Sequence, residues 1–254
     1  MEPLLPAAAA TGRPRGDLQE ILCGIFYMVD NGCKWQALPH DLPPWQTCWR
    51  WWARLNEAEE GQASVWDGIV AALRGADRVG KGRAQKPTAA IVDSQSAKSS
   101  EGGQGRSFDA NKRVNGRTRH AFVDVEGNLL LVGLTGAGTS ATAAAKELLT
   151  QLRRTCPNLQ LIWCDQGYQA SFVEAARELG LEVVVVCRQP GTRGFAVLPQ
   201  RWVVERFFAW ISRARRLARD FEQAVWSARG MLQAAYAWML LRRLARGCVA
   251  GARA

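Results

Sequence analysis

A chain of 254 residues, 48% hydrophobic and 22% charged, is long enough for one large domain or for a small domain joined to a larger one. No apolar run approaches the ~18–20 residues a bilayer span needs, which excludes a membrane-spanning helix and predicts a cytoplasmic protein. The net charge of +10 favours a polyanionic partner, nucleic acid first among them.

Residues 1–15 are rich in Ala and Pro and carry no basic residue ahead of their apolar part, so they read as a disordered lead-in, not an export signal. A helical module is expected over 16–76. Asp17 can cap a first helix in which Leu18, Ile21, Leu22, Ile25, Phe26 and Val29 recur at helical spacing, with Asn31-Gly32 as its stop. Leu38-Pro39 and Leu42-Pro43-Pro44 then force an extended connection, because proline disfavours helical geometry in the residue before it. Second and third helices follow over 45–56 and 63–73, which is compatible with a helix-turn-helix-like DNA reader or with a small bundle that only packs or dimerises. In its tryptophan cluster, Trp49 and Trp52 share a helix face, and Trp51 lies off that face as the indole to test for DNA contact.

Residues 77–87, rich in glycine and basic side chains without apolar periodicity, read as a linker that can lie along phosphates. The segment 88–246 follows, with a tail over 247–254. A short apolar strand runs into Asp93, and a hairpin spans Arg119–Val125 and Leu129–Thr135 about Glu126-Gly127-Asn128. A helix is expected over 139–155, a strand over 159–164 ending at Asp165, and a helix over 170–179. A buried strand over 183–187 and two long helices over 201–221 and 223–246 complete the pattern. That order predicts an α/β fold with a mixed sheet flanked by helices.

Asp93 and Asp165 each follow a short apolar strand, and Glu205 lies near the start of a helix. If the two strands are sheet neighbours, ~4.8 Å apart, both carboxylates emerge at one edge. Three converging carboxylates suit hard divalent cations such as Mg2+ or Mn2+, and a pair of such ions suits phosphodiester displacement. Each acid alone is a common cap, turn or surface residue. Arginines and lysines crowd the same stretches: Lys98, Arg106, Lys112, Arg113, Arg117 and Arg119 in one, and six arginines over 201–219 in the other. Beside proposed metal carboxylates, such runs suggest phosphate tracking. His120 fits a structural role or a phosphate hydrogen bond better than that of a general base. No GxGxxG, P-loop or GxSxG spacing is present, which leaves nucleotide-driven and acyl-transfer chemistry without support.

Several stretches together resemble one family. Arg201-Trp202-Val203-Val204-Glu205-Arg206 and the residues to Arg213 resemble the C-terminal signature of bacterial insertion-sequence DDE transposases. Val92-Asp93-Ser94-Gln95-Ser96 and Asp165-Gln166-Gly167-Tyr168 resemble their first and second acidic motifs. Gly32-Cys33-Lys34-Trp35 and Leu38–Thr47 resemble their N-terminal helical module, and Gly116–His120 their basic entry to the hairpin. The family's signature tyrosine corresponds to Leu198, and its basic residue after the glutamate to Ser212, followed by Arg213.

The resemblance implies a ribonuclease H-like catalytic domain preceded by a small all-α helix-turn-helix-like domain, with Asp93, Asp165 and Glu205 as catalytic and metal-binding residues for two Mg2+ or Mn2+ ions. It further implies metal-dependent cleavage and strand transfer of an insertion sequence, acting on double-stranded DNA (terminal inverted repeats and target) as a homodimer on DNA, with nucleoid association. Arg201, Arg213, Lys112, Arg113, Arg117, Arg119, His120 and Trp51 are the candidate DNA contacts. Two alternatives stand beside this reading: a catalytically inactive DNA-binding remnant, and a metal-dependent nuclease without strand transfer.

Overall fold

A computed structural model describes Leu5 and residues 16–58, 62–100, 102–168, 170–187 and 200–251, with side chains to Gly247 in the last helix. The expected lead-in (Leu5 apart), the Leu198 position and residues 252–254 lie outside the described residues.

Three helices come first: α1 (Leu18–Asn31), α2 (Trp45–Asn56) and α3 (Val65–Gly80). Asp17 caps α1 by accepting from Gln19 N, and Gly32 ends it at φ 71°, a left-handed conformation that glycine adopts without a Cβ penalty. Ser64 caps α3 in a reciprocal capping box with Asp67. The buried stripe of α2 is Cys48, Trp52 and Leu55 at helical spacing, so Trp52 is fully enclosed. Trp49, expected to share its face, is instead 44% exposed.

The expected linker does not begin at residue 77. α3 continues to Gly80, and Arg74, Asp77 and Arg78 are buried in it. Arg74 donates to Leu129 O, and Arg78 pairs with Asp124, which also accepts from the backbone N–H groups of Glu126 and Asn128 at the hairpin turn. Arg83 likewise pairs with Glu126 at 2.7 Å. A linear sequence shows these charges but not their partners, which come from a turn more than forty residues away.

Among the described residues six strands form one sheet: β1 (Ala89–Lys98), β2 (Ser107–Asp109), β3 (Val114–Val123), β4 (Leu129–Gly136), β5 (Leu161–Asp165) and β6 (Glu182–Val186). β3 lies between β1 and β4 and is antiparallel to both, β5 joins β1 in parallel, and β6 is parallel to β5 at the edge, with short β2 extending the far side of β3. This order, β4-β3-β1-β5-β6 with only the second strand reversed, is the ribonuclease H-like mixed sheet. Helices α4 (Ala141–Thr155) and α5 (Ala170–Glu178) cover one face, and α6 (Trp202–Ile211) and α7 (Val225–Gly251) the other.

Side chains alternate along β1, because successive Cβ atoms point to opposite faces. Ala90 and Val92 enter the core under α4 and α5, and Ile91 enters the core under α6 and α7. β5 does the same, with Ile162 and Cys164 on the first face and Trp163 on the second. The second core is continuous with the helical module: Trp52, Trp66, Ile25 and Phe26 pack in one cluster with Phe207, Tyr236 and Leu240. Residues 16–80 are thus seated mainly on α7 and share the core that α6 and α7 form.

Two further expectations are corrected. Among the described residues β6 is an edge strand with Val184 and Val185 exposed, since only β5 pairs with it there. The helix expected over 201–221 stops at Ile211: Ser212 Oγ bonds back to Ala209 O, Ala214 turns to an extended ψ of 114°, and a short 3-10 turn over Arg215–Leu217 follows.

Candidate active site

Register brings the two aspartates together. Ile91 pairs with Trp163 across the parallel β1–β5 ladder, and Asp93 and Asp165 each lie two residues further on, hence on the same face as those partners. That face is the one α6 covers. Asp93 sits in mid-strand, not at a strand end as expected, because β1 continues to Lys98 against β3 after its ladder with β5 stops at Ile91–Trp163. The β5 side of Asp93 is therefore open, and Asp165 occupies its rim.

Each aspartate is fixed by one oxygen and presents the other. Asp93 Oδ1 accepts from Ser94 N at 2.7 Å, and Asp165 Oδ1 accepts from Gly167 N at 2.9 Å. The remaining oxygens both face Arg201, Asp93 Oδ2 at 3.7 Å and Asp165 Oδ2 at 3.7 Å. Arg201 also donates to Glu205 Oε1 at 3.0 Å, one helical turn along α6. One guanidinium thus joins all three predicted acids. Among the described residues no group of three or more Asp, Glu, His or Cys side chains closes directly on a single point; Arg201 stands between them as a tethered cation. Burial pushes the Asp93 carboxyl up to about 6, and nearby Asp165 and Glu205 add to that, against the lowering by Ser94 N–H and Arg201.

Tyr168, four per cent exposed, has a buried hydroxyl without a hydrogen-bond partner. Burial raises its pKa far above the ordinary tyrosine value, with Asp93 and Asp165 adding to the rise. Its place in the Asp-Gln-Gly-Tyr stretch was the available signal, but spacing alone did not mark it as a neighbour of both acids.

The candidate DNA contacts separate into two groups. Arg117 is fully buried, donating to Gln104 O, Glu222 O and Gln223 O and pairing with Asp220 at 2.7 Å. Arg119 is buried on Gln95 and Leu217 O, and His120 is fully enclosed. These three present no surface to a phosphate, because alternate residues of β3 face the interior on both sides of a covered sheet. Lys112, Arg113 and Arg213 are exposed. Trp51 packs partly against the helical core beneath Arg54, so Trp49 is the indole that α2 turns outward.

His120 carries a pH-dependent share of stability. Thr135 Oγ1 donates to Gly136 O and so accepts from His120 Nε2–H, at 2.8 Å, leaving Nδ1 buried without a partner. Burial lowers the His120 pKa to about 4, helped by Lys112. A depressed histidine pKa means the unfolded chain takes up the proton first, so this contribution is present above pH ~6.5 and is lost as pH falls toward 4. Between pH 7 and 5 it amounts to about 2 kcal/mol. Asp93, with its raised pKa, acts in the opposite sense over the same window, and comparison with His120→Gln cancels it. Denaturant titrations at the two pH values should show the variant losing about 2 kcal/mol less than the unsubstituted chain; equal losses would show that His120 is not held neutral.

The sheet has the ribonuclease H-like order, and three acids on it and on α6 are drawn to one cationic point. The chain belongs to the DDE transposases: residues 84–240 match the family model "Transposase DDE domain", and residues 1–70 match "Putative transposase of IS4/5 family". A curated relative, "Putative transposase for insertion sequence element IS402" from Burkholderia cepacia, is 28% identical over 116 residues, covering 42% of this chain and 54% of the relative. The chain therefore spans about half the length of that relative. Two solved structures of similar outline are the Mos1 strand transfer complex (14% identity, 96% of this chain and 81% of that one, TM-score 0.36) and the Mos1 mariner paired end complex with Mn (12%, 92% and 80%, TM-score 0.29). Likeness at that level is too loose to add to the sheet order.

Proposed function

We propose that this chain cuts and rejoins DNA at the ends of an insertion sequence, with Asp93, Asp165 and Glu205 as the catalytic acids and as the ligands of divalent cations, two Mg2+ or Mn2+ ions. The observation that carries this reading is the convergence of all three carboxylates on the Arg201 guanidinium. A set of carboxylate oxygens that already gathers around a positive charge has the chemistry hard divalent cations require. Asp93, Asp165 and Glu205 would hold such ions, which would supply Lewis-acid activation of a hydroxyl and charge stabilisation on a departing phosphodiester oxygen.

The chain's own residues supply the frame. The backbone N–H groups of Ser94 and Gly167 hold each aspartate by one oxygen, so the other is oriented before any ligand arrives. Gly167 allows this approach, since a Cβ there would meet Asp165 Oδ1 at 3.0 Å. Glu205, more exposed than the aspartates, completes the set from a separate element. Arg201 offsets the three negative charges, and its planar fork has the geometry to hold a phosphate beside them. Residues 16–76 would bind the terminal inverted repeats, with Trp49 of α2 outward and Lys112, Arg113 and Arg213 on phosphates, in a dimer assembled on DNA.

Incubation with a duplex bearing the element's terminal repeats tests the reading. With Mg2+ or Mn2+ the expected products are strands cut at the repeat end and, with a pre-cut end and a plasmid, joined molecules; EDTA abolishes both. Cutting without joining identifies a nuclease, and binding without cutting in either metal identifies a DNA-binding remnant.

A further inference from the structure

A cleft of about 510 Å³ opens where the end of α6 meets α1 and α7. Arg213, Arg242, Arg243 and Arg246 line it together with the indoles of Trp210 and Trp238. Trp210 lies five residues beyond Glu205 on α6, about 7.5 Å along the axis and roughly 140° around it. The cleft therefore opens on a different face of the helix from the three acids.

The charge in this cleft is poorly compensated. Asp30 is its one acidic lining residue, and it reaches Arg242 only at 3.9 Å. Arg243 is committed outside the cleft, to Asp77 at 3.3 Å. No carboxylate among the described residues pairs with Arg213 or Arg246, although ion pairs hold arginines over much of the molecule. Four guanidinium groups around one cavity repel one another and focus a positive potential into it, so an anion bound there gains twice, by attraction and by relieving that repulsion.

Aromatic faces fix the guanidinium planes. Arg243 lies over Trp210 at 4.8 Å from the ring centroid and Arg242 over Trp238 at 5.7 Å, and Arg206 covers Trp210 from another side at 4.6 Å. Stacked arginines lose less freedom on meeting a phosphate than free ones do, and they present their N–H donors edge-on. The volume exceeds a single phosphate group, and the lining alternates cation and flat apolar ring, as contact with a sugar–phosphate chain requires.

We infer that this cleft is a second DNA-binding site, separate from the catalytic acids, which grips a phosphodiester backbone through Arg242, Arg246 and their neighbours. The inference rests on the reading of the chain as a DNA-processing transposase and adds to it a place where a further stretch of DNA is held.

The test compares the full chain with Arg242→Gln/Arg246→Gln and with Arg242→Lys/Arg246→Lys. Fluorescence anisotropy on a labelled duplex, in EDTA and over a KCl series, reads affinity and its salt dependence. Two lost phosphate contacts should flatten the slope of log K against log [salt] by roughly two and weaken binding on the order of ten-fold near 0.1 M salt. The lysine pair, which keeps both charges, should retain most of the slope, and thermal melts of all three should agree. A glutamine pair with unsubstituted affinity and slope overturns the cleft while leaving the catalytic reading intact. A drop in affinity without a change of slope also overturns it, because the loss is then not one of phosphate contacts. An unsubstituted chain that binds no duplex overturns both readings.

Discussion

Asp93→Asn should abolish metal-dependent strand cleavage while leaving DNA binding in place and raising stability. The amide is the same shape as the carboxylate and its oxygen can still accept from Ser94 N, so the local backbone has no reason to move. What disappears is one negative charge from the set that converges on Arg201. If cations bind there, losing a ligand charge removes several kcal/mol of transition-state stabilisation, or about 10³-fold in rate. The stability change has the opposite sign. A carboxyl raised to about 6 is held at pH 7 in a form the fold disfavours, so neutralising it should stabilise the chain by about 1–3 kcal/mol. Cleavage assays on a repeat-end duplex, beside thermal melts at pH 7, measure both. A variant that cuts as fast as the parent removes Asp93 from the chemistry, and one that is inactive because it melts early leaves no support for a catalytic role.

The largest structural effect is expected at Arg117. This arginine, wholly enclosed between β3 and the segment following α6, satisfies three backbone carbonyls and the buried Asp220. Asp220 in turn accepts from Glu222 N and helps fix the turn in which Glu222 pairs with Arg216 and receives a hydrogen bond from Ser227, itself the acceptor of Trp52 Nε1. The network runs from the sheet to the helical module. Arg117→Met removes the cation and leaves Asp220 as an uncompensated buried charge, which costs about 3–5 kcal/mol. For a chain of this size that lowers Tm by roughly 10 °C, with the precise figure set by the unfolding entropy. Asp220→Asn in the same background should recover part of the loss, because the stranded charge is then gone. If Arg117→Met melts with the parent, the arginine is not the structural hub that its contacts indicate. This test also separates a folding role from the phosphate contact suggested by the sequence, since a surface arginine lost from a DNA site would leave Tm unchanged.

Burial separates residues that look alike along the chain. Arg117 and Arg119 stand in a run of basic residues, and such a run ordinarily means a solvated face. Here β3 is covered on both faces, so the run is divided: Lys112 and Arg113 remain outside and Arg117 and Arg119 turn in to meet partners about a hundred residues away. Arg78 likewise lies in a glycine-rich basic stretch of linker composition, while its partner Asp124 stands in the hairpin turn. Trp49 and Trp51 exchanged roles because α2 buries the stripe through Cys48, Trp52 and Leu55, which periodicity alone places only to within one residue.

Local chemistry was legible throughout. Asp17 and Gly32 bound α1, Pro44 precedes α2, the Glu126-Gly127-Asn128 turn joins β3 to β4, and short apolar runs mark β1 and β5, because caps, turns and alternation act between neighbours in the chain. Sequence also gave the three acids, through motifs that resemble a family. Only the tertiary structure could decide that Asp93 and Asp165 share a face, since this depends on the parallel register Ile91–Trp163 between strands seventy residues apart. It alone placed Arg201 among the acids, and it alone gathered Arg213, Arg242 and Arg246 around one cleft. Charge can be counted along a chain, but whether it is neutralised depends on distance, and distance between remote residues is set by packing.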